Sequence, residues 1–508
     1  MRNHFNLSKI VLLLAVALML VNLVSDSQAQ GPVSGGTLRV VVSAEPQGLD
    51  PTTNTAAVVD RIFYNNTYEG LTKLDRTGSV VPGLAESWTF SDDGLNWTFN
   101  LRQGVTFHDG SAFTAADVVF TIERNQTTDE SIAIVNPRFY EAIESVVAAD
   151  DHTVNMTLST FDSSFLFNLA RGDSAILSAN YAGDLNAAPN GTGPFSFVER
   201  VPASSLTLAK NENYYIEGLP YLDGVVFSFI PDPTAAFSAI QAGDVDVLAR
   251  SNVENAPAAA ADPNLTVFNG ASTGEVILSM NNRSAPFNDK RVRQAVAYAL
   301  NRQDIIDIAQ FGFGVPVGSH MSPVNENYVD TTWRYQQDQD KARALLAEAG
   351  FADGLNVVMK IPSTFSYATS TAQVVQQMMA DVGITAEIQL VDFPGQWLEE
   401  VFFDPWDYQM SIIAHVEEFD IGIYSNPNYY YGYSSAAFDD ALSRAQSEPD
   451  PVERKQLYAI AQFLIAEDVA TFPMYELSNA LILRSNVQNF WEDAPIPAAD
   501  VSEVWINP

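Results

Sequence analysis

Residues 101–118 read LRQGVTFHDGSAFTAADV and are the most specific indicator of architecture in this chain. The block opens at the end of a stretch, 97–101, in which apolar and polar residues alternate as they do in a half-buried strand. A turn is expected at Asp109-Gly110, and Thr114 and Asp117 then have the spacing of a helix capping box. The block therefore predicts a strand, a turn and a capped helix in direct succession.

The pattern changes from strands to helices along the chain. Strand alternation recurs at 38–42 and 154–158, whereas the second half carries apolar residues at helical spacing. Gly383 ends one such helix and is followed at once by an alternating strand at 384–390. Helix, glycine and strand in this order are typical of an α/β lobe. Because no linker or repeat separates the two halves, we expect their domains to interweave.

The composition excludes some partners and leaves the meaning of the charge open. The chain has 508 residues, 47% of them hydrophobic, which is enough for two or three domains with cores of their own. Its formal net charge of −36 would repel phosphate backbones, so nucleic acid is excluded as a partner. The charge could attract cationic solutes, but solubility or a saline habitat explains it more simply.

The first residues are typical of a secretory signal peptide. Arg2 and Lys9 precede an apolar run at 10–21, and Ser27-Gln28-Ala29 matches the pattern of a cleavage site. We expect residues 1–29 to be removed. The chain contains no cysteine, hence no disulfide and no lipid-acceptor thiol. These features together predict a periplasmic protein that is not lipid-anchored.

The sequence lacks the common signatures of enzymes and of metal sites. It has no GxSxG, no HExxH and no phosphate loop ending in Gly-Lys-Ser/Thr. Its five histidines are scattered, and none shares a predicted helical face with another. We therefore predict a protein without catalytic residues, metal ligands or a cofactor.

Several ordered blocks resemble one protein family. Together with residues 101–118, they are similar to the extracellular solute-binding proteins of family 5, the dipeptide, oligopeptide and nickel type. The blocks that carry the resemblance are Gly35-Gly36-Thr37-Leu38-Arg39-Val40, Tyr68-Glu69-Gly70-Leu71, Pro82-Gly83-Leu84-Ala85-Glu86-Ser87-Trp88, Gly191-Thr192-Gly193-Pro194-Phe195, Gln241-Ala242-Gly243-Asp244-Val245-Asp246, Val292-Arg293-Gln294-Ala295 and 342–350.

This resemblance implies an α/β, two-lobed periplasmic-binding-protein fold (type II, cluster C) with a hinge and an inserted domain. Domain I would gather residues 31–75, 190–272 and 486–508; domain II would be the insertion 76–189; domain III would be 273–485. The implied function is the non-enzymatic capture of a peptide or similar polar solute by lobe closure. A monomer would then deliver the solute to the permease subunits of an ABC importer and their ATPases. An oligosaccharide, an opine-like conjugate or a nickel complex is the alternative solute.

The chain departs from the family at the stretch that holds a peptide's ammonium group. Peptide-binding members carry a Gly-Asp-Tyr-x-Asp-Pro-like sequence there, whereas residues 412–424 read IIAHVEEFDIGIY and lack the Asp-Pro pair. Carboxylates that follow a buried strand could bind a cationic group in the cleft, or they could form a solvated acidic loop. The candidate ligand-binding residues are Glu45, Gln47, Trp397, His415, Glu417, Glu418, Asp420 and Tyr424.

Overall fold

A computed structural model describes most of the chain. The described residues are 31–54, 56–129, 132, 134, 136–249, 251, 253–416, 420–478, 480–493, 495–496 and 498–508. The predicted signal peptide and the candidates Glu417 and Glu418 lie outside them. In the part of the chain that is described, no helix combines the length and apolar character needed to cross a membrane.

Twenty-one strands occur among the described residues. They are β1 (Thr37–Val42), β2 (Thr72–Leu74), β3 (Val80–Pro82), β4 (Ala85–Phe90), β5 (Asn96–Leu101), β6 (Ile143–Asp150), β7 (Thr153–Leu158), β8 (Phe195–Val201), β9 (Ser205–Lys210), β10 (Gly224–Phe229), β11 (Val247–Leu248), β12 (Leu265–Phe268), β13 (Glu275–Met280), β14 (Gly314–Pro316), β15 (Leu355–Pro362), β16 (Ile384–Val391), β17 (Met410–His415), β18 (Thr471–Leu477), β19 (Leu481–Arg484), β20 (Val487–Gln488) and β21 (Trp505–Ile506).

The α-helices of the same residues lie mostly in the second half. They are α1 (Ala57–Phe63), α2 (Ala115–Asn125), α3 (Phe165–Asn168), α4 (Pro233–Ala242), α5 (Ala256–Ala260), α6 (Lys290–Ala299), α7 (Arg302–Ala309), α8 (Gln339–Glu348), α9 (Ser366–Ala380), α10 (Gly395–Trp397), α11 (Ala436–Ser447) and α12 (Pro451–Asp468).

Most strands form two large mixed sheets and a smaller antiparallel one, and β2-β3 and β20-β21 form separate two-stranded sheets. A seven-stranded sheet has the order β12-β19-β11-β1-β10-β9-β8, and a six-stranded sheet has the order β14-β18-β13-β17-β15-β16. Each has its own cluster of buried apolar side chains. Each can therefore form the core of a separate lobe.

The smaller sheet comes from the middle of the first half. Its order is β4-β5-β7-β6, and α2 packs against β6 and β7. Thr114 and Asp117 form the capping box that the sequence predicts at the start of α2. His108, in the turn before α2, contacts the carbonyl oxygen of Gly193 through Nε2 at 2.9 Å. This contact joins the small sheet to the seven-stranded one.

The chain crosses between the two large sheets twice. It passes from β12 to β13 between residues 268 and 275, and it returns from β18 to β19 between residues 477 and 481. Strand β19 pairs with β11 and β12, so the seven-stranded sheet includes residues 481–484, which the sequence assigned to domain III. We propose that the return crossing ends domain III near Leu477 and that the two crossings form the hinge. The other predicted boundaries are retained as proposals.

The turn between β2 and β3 touches the lobe of the six-stranded sheet, and this contact can be tested. Gly78 has φ +79°, and a Cβ atom there would overlap the carbonyl oxygen of Val324. Gly104 has a similar φ of +75°, but a Cβ there would meet nothing within 4 Å. We expect Gly104→Ala to cost only the left-handed strain, about 1–2 kcal/mol. Gly78→Ala should cost about 1–3 kcal/mol more, because overpacking adds to the strain.

Thermal unfolding of the two variants beside the parent measures this difference. Equal melting temperatures for Gly78→Ala and Gly104→Ala would show that the contact with Val324 contributes nothing to stability.

Candidate functional site

A cleft of about 310 Å³ separates the small sheet from the six-stranded lobe. One wall is aromatic, and Phe90 and Trp97 stack there with ring centroids 4.6 Å apart. The opposite wall is polar and comes from the six-stranded lobe. Its ionisable residues are Glu275, His320, Glu326, His415, Asp420 and Arg454.

The polar wall starts from a row of residues across three neighbouring strands. Glu275, the first residue of β13, pairs with His415 at the end of β17 and with Glu476 near the end of β18. Directly opposed residues of antiparallel strands place their side chains on one face. All three residues are buried. Two carboxyl groups and an imidazole therefore meet at one end of the sheet.

Asp420 connects two histidines that lie far apart in the sequence. Its Oδ1 is 2.8 Å from Nε2 of His320, and its Oδ2 is 3.2 Å from Nδ1 of His415. The second nitrogen of each ring meets a tyrosine hydroxyl at 3.1 Å, from Tyr424 for His320 and from Tyr430 for His415. Every ring nitrogen of the pair thus has a polar neighbour.

The carboxyl groups of this site differ in charge. Burial alone would raise the pKa of Asp420, but the charges and hydrogen bonds of His320 and His415 outweigh it and hold that pKa below its ordinary value. Burial, followed by repulsion from Glu476 and Asp420, raises the pKa of Glu275 well above its usual range. Asp420 therefore favours its ionised form, whereas Glu275 favours its neutral form.

One carboxyl oxygen of Glu275 forms no hydrogen bond with the other described residues. Within the described residues its Oε2 is buried and takes part in no hydrogen bond, and it lies 3.6 Å from Nδ1 of His320. A buried polar atom without a hydrogen bond is costly, and such atoms usually mark a place that another group completes. Because Glu275 lines the cleft, a solute can supply that group.

A second cavity, of about 590 Å³, lies on the other side of His415. Ser251 and Val253 line it from the seven-stranded side, and aromatic residues line it from the six-stranded lobe. Trp397 belongs to this wall, and its indole Nε1 donates to Oγ of Ser411 at 3.0 Å. His415 lines both cavities.

The sequence candidates do not all gather at these cavities. Glu45 accepts hydrogen bonds from Nε of Arg200 at 2.7 Å and from the backbone of Ala203 at 2.9 Å. Gln47 lines a separate shallow pocket. Tyr424 is only 1% exposed and contributes through its hydroxyl contact with His320.

Sequence reasoning missed Glu275 and His320. Glu275 lies in a strand whose six residues are all buried, and no local pattern marks one of them as functional. His320 follows β14 in a Gly/Pro-rich loop, 95 positions before His415 by residue number. Alternation along β13 and β17 could have predicted two strands, but pairing between them depends on the whole sheet.

Two large-sheet lobes joined by two chain crossings, with a polar and aromatic cleft between the six-stranded lobe and the small sheet, define a solute-binding protein. The solved structure of the ABC transporter-associated periplasmic binding protein DppA from Helicobacter pylori, in complex with the peptide STSA, has a similar fold. It superposes with a TM-score of 0.70 at 27% identity, covering 94% of this chain and 99% of that one. The predicted two-lobed α/β fold is confirmed.

Sequence comparison extends the likeness to curated relatives. The glutathione-binding protein GsiB of Salmonella paratyphi A is 30% identical over 452 residues, 84% of this chain and 86% of the relative. Heme-binding protein A of Haemophilus influenzae is 28% identical over 502 residues, 89% of each chain. The family model of the bacterial extracellular solute-binding proteins, family 5, matches residues 79–437.

The chain belongs to family 5 of the bacterial extracellular solute-binding proteins. The family and these relatives are binding proteins, so the predicted class is confirmed.

Proposed function

We propose that this protein captures a small solute that has both a polar and an apolar part and delivers it, chemically unchanged, to the permease of an ABC importer. One observation carries the proposal: the cleft sets a stacked aromatic wall opposite the buried polar wall of Glu275, His320, His415 and Asp420. Clefts of this composition bind small molecules through apolar area and orient them through a few polar groups. We further propose that the protein is exported, is cleaved after Ala29 and acts as a monomer.

Glu275 and Asp420 give the polar wall its preference for a solute group that donates hydrogen bonds. Charge-assisted hydrogen bonds are about twice as strong as neutral ones, so an ammonium group facing Asp420 would be held firmly, and its charge would favour the ionised form of Glu275. A peptide or glutathione carries such a group. The candidates Glu417 and Glu418, which lie outside the described residues, adjoin this wall in sequence and remain part of the proposal.

The second cavity supports a different solute class. Seven of its eighteen lining residues are Phe, Tyr or Trp, a serine and a valine come from the opposite lobe, and it is larger than the first cavity. Aromatic side chains bind flat apolar groups by stacking. A planar macrocycle such as haem is therefore the second candidate, and His415 would lie beside it.

A thermal-shift screen tests the function. The mature protein is heated with glutathione, a set of dipeptides, haemin, an opine and an oligosaccharide. A solute present at 100 times its Kd should stabilise the folded protein by about 2.7 kcal/mol. Small-angle scattering should then show a smaller radius of gyration with that solute, because lobe closure accompanies binding.

Two results would contradict the proposal. If no organic solute raises the melting temperature, the cleft is not a capture site for these classes. If a stabilising solute is recovered in altered form, the protein is not a passive carrier.

A further inference from the structure

The cluster of His320, His415 and Asp420 has the composition of a transition-metal site. Each residue offers one ligand atom, and these atoms all lie within 4.8 Å of one another. Two imidazoles and one carboxylate suit Zn²⁺, Ni²⁺ or Co²⁺, which take nitrogen and oxygen ligands at about 2.0–2.2 Å. To share one ion, these atoms would have to come within about 4.2 Å of one another, twice the metal–ligand distance.

The surroundings of the two rings match what metal-binding histidines require. A ligating histidine donates its other N–H to a fixed acceptor, which sets the orientation of the ring. The hydroxyls of Tyr424 and Tyr430 lie at 3.1 Å from the outer nitrogens of His320 and His415. A tyrosine hydroxyl can donate or accept, so both rings can bind a metal through the nitrogen that faces Asp420.

The cluster is buried, unlike the groups of acidic residues that are common on protein surfaces. His320 is 1% exposed and His415 is 8% exposed. Glu275 is 4% exposed, and its unbonded Oε2 lies 3.6 Å from His320. This oxygen faces the outer nitrogen of the His320 ring, Nδ1, and not the nitrogen that would bind the metal, so Glu275 is not counted among the ligands.

We propose that His320, His415 and Asp420 bind one divalent transition-metal ion at the polar wall of the cleft. Three protein ligands leave at least one coordination position open, as in sites that bind an exchangeable group. All three residues line the cleft, so that position is accessible to a chelating solute. The bound ion would be the cation that anchors the solute in the cleft. In this respect the inference rests on the proposed function.

The test uses metal ions alone, so its outcome does not depend on the organic solute. The full protein is stripped with a chelator, dialysed, and titrated calorimetrically with ZnCl₂, NiCl₂ and CoCl₂. We expect one equivalent to bind, and Co²⁺ to give a visible d–d absorption band. Mg²⁺ and Ca²⁺ should not compete, because these ions prefer all-oxygen ligands.

Matched variants assign the site. His320→Asn, His415→Asn and Asp420→Asn should each weaken binding by more than about 100-fold, because a lost outer partner alone costs about 10–100-fold. Tyr430→Phe removes only such a partner and should weaken binding by about 10-fold. His152→Asn is the control, since His152 lies in the turn between β6 and β7 and lines neither cavity. It should bind like the parent.

Circular dichroism of each metal-free variant separates a lost ligand from a lost fold. If one histidine variant does not fold, the binding affinity of Tyr430→Phe and the cobalt spectrum of the parent still test the site. Absence of binding to the parent, or equal binding by the parent and Asp420→Asn, would overturn the metal site. The organic-solute screen would be unaffected by that outcome. A failed screen with intact metal binding would instead overturn the proposed function.

Discussion

Glu275→Gln is expected to weaken binding of the stabilising solute by at least 30-fold, about 2 kcal/mol. Oε2 of Glu275 is the buried acceptor at the polar wall that no hydrogen bond occupies within the described residues. A cationic donor of the solute would favour the ionised form of Glu275, and an amide at this position cannot become a charged acceptor. Truncating or reversing one partner of a desolvated polar pair costs about 2–5 kcal/mol. The affinity of both proteins is measured calorimetrically with the solute that the screen identifies.

Two controls show whether the effect belongs to the cleft. Glu387→Gln makes the same chemical change at an exposed residue of β16 that lines neither cavity. Asp340→Asn removes a carboxylate whose side chain is 95% exposed, where a pair contributes about 0–1 kcal/mol. Both should bind the solute within about threefold of the parent. If Glu275→Gln also stays within threefold, Glu275 is not a solute contact.

Arg293→Met is expected to lower the free energy of unfolding by about 3–5 kcal/mol, through the loss of a buried charged donor. Arg293 lies in α6 and is 7% exposed. Its guanidinium donates to the carbonyl oxygen of Phe287 at 2.7 Å, to that of Asp468 at 2.8 Å and to that of Val469 at 3.0 Å. Methionine fills similar apolar space but leaves these buried carbonyl groups without their donor.

The second and third of these carbonyl groups belong to the end of α12. Asp468 is its last residue, and Val469 after it has the left-handed φ of 47°. Helix ends leave carbonyl groups without intrahelical partners, and a cation there also meets the negative end of the helix dipole. Arg293 thus joins α6 to the end of α12, which immediately precedes β18 and Glu476.

Urea denaturation of Arg293→Met and Arg343→Met measures this contribution. Arg343 is the matched control because its guanidinium is 47% exposed and pairs with Asp340 on the surface of α8. Its loss should cost no more than about 1 kcal/mol. Equal urea midpoints for the two variants would contradict the structural role of Arg293.

The class of the protein and much of its secondary structure could be predicted from residues that interact locally. The block 101–118 contains a strand end, a turn and a capping box whose partners lie three residues apart, and the structure confirms the capping box. Alternation over 384–390 likewise predicted a strand where β16 is found. Such signals are readable because the periodicity of side chains follows directly from the geometry of helices and strands.

The composition of the site could be predicted only in part. His415 and Asp420 were expected at the cleft because they follow an apolar strand, and both line it. Glu275 and His320 carried no such signal, since one is in a fully buried strand and the other in a loop. They meet His415 and Asp420 because β13 pairs with β17 and because the loop after β14 returns to the same end of the sheet. Strand pairing and loop return are set by long-range packing. Only the folded chain therefore shows which carboxyl group at the cleft keeps an unbonded oxygen and which histidines share one aspartate.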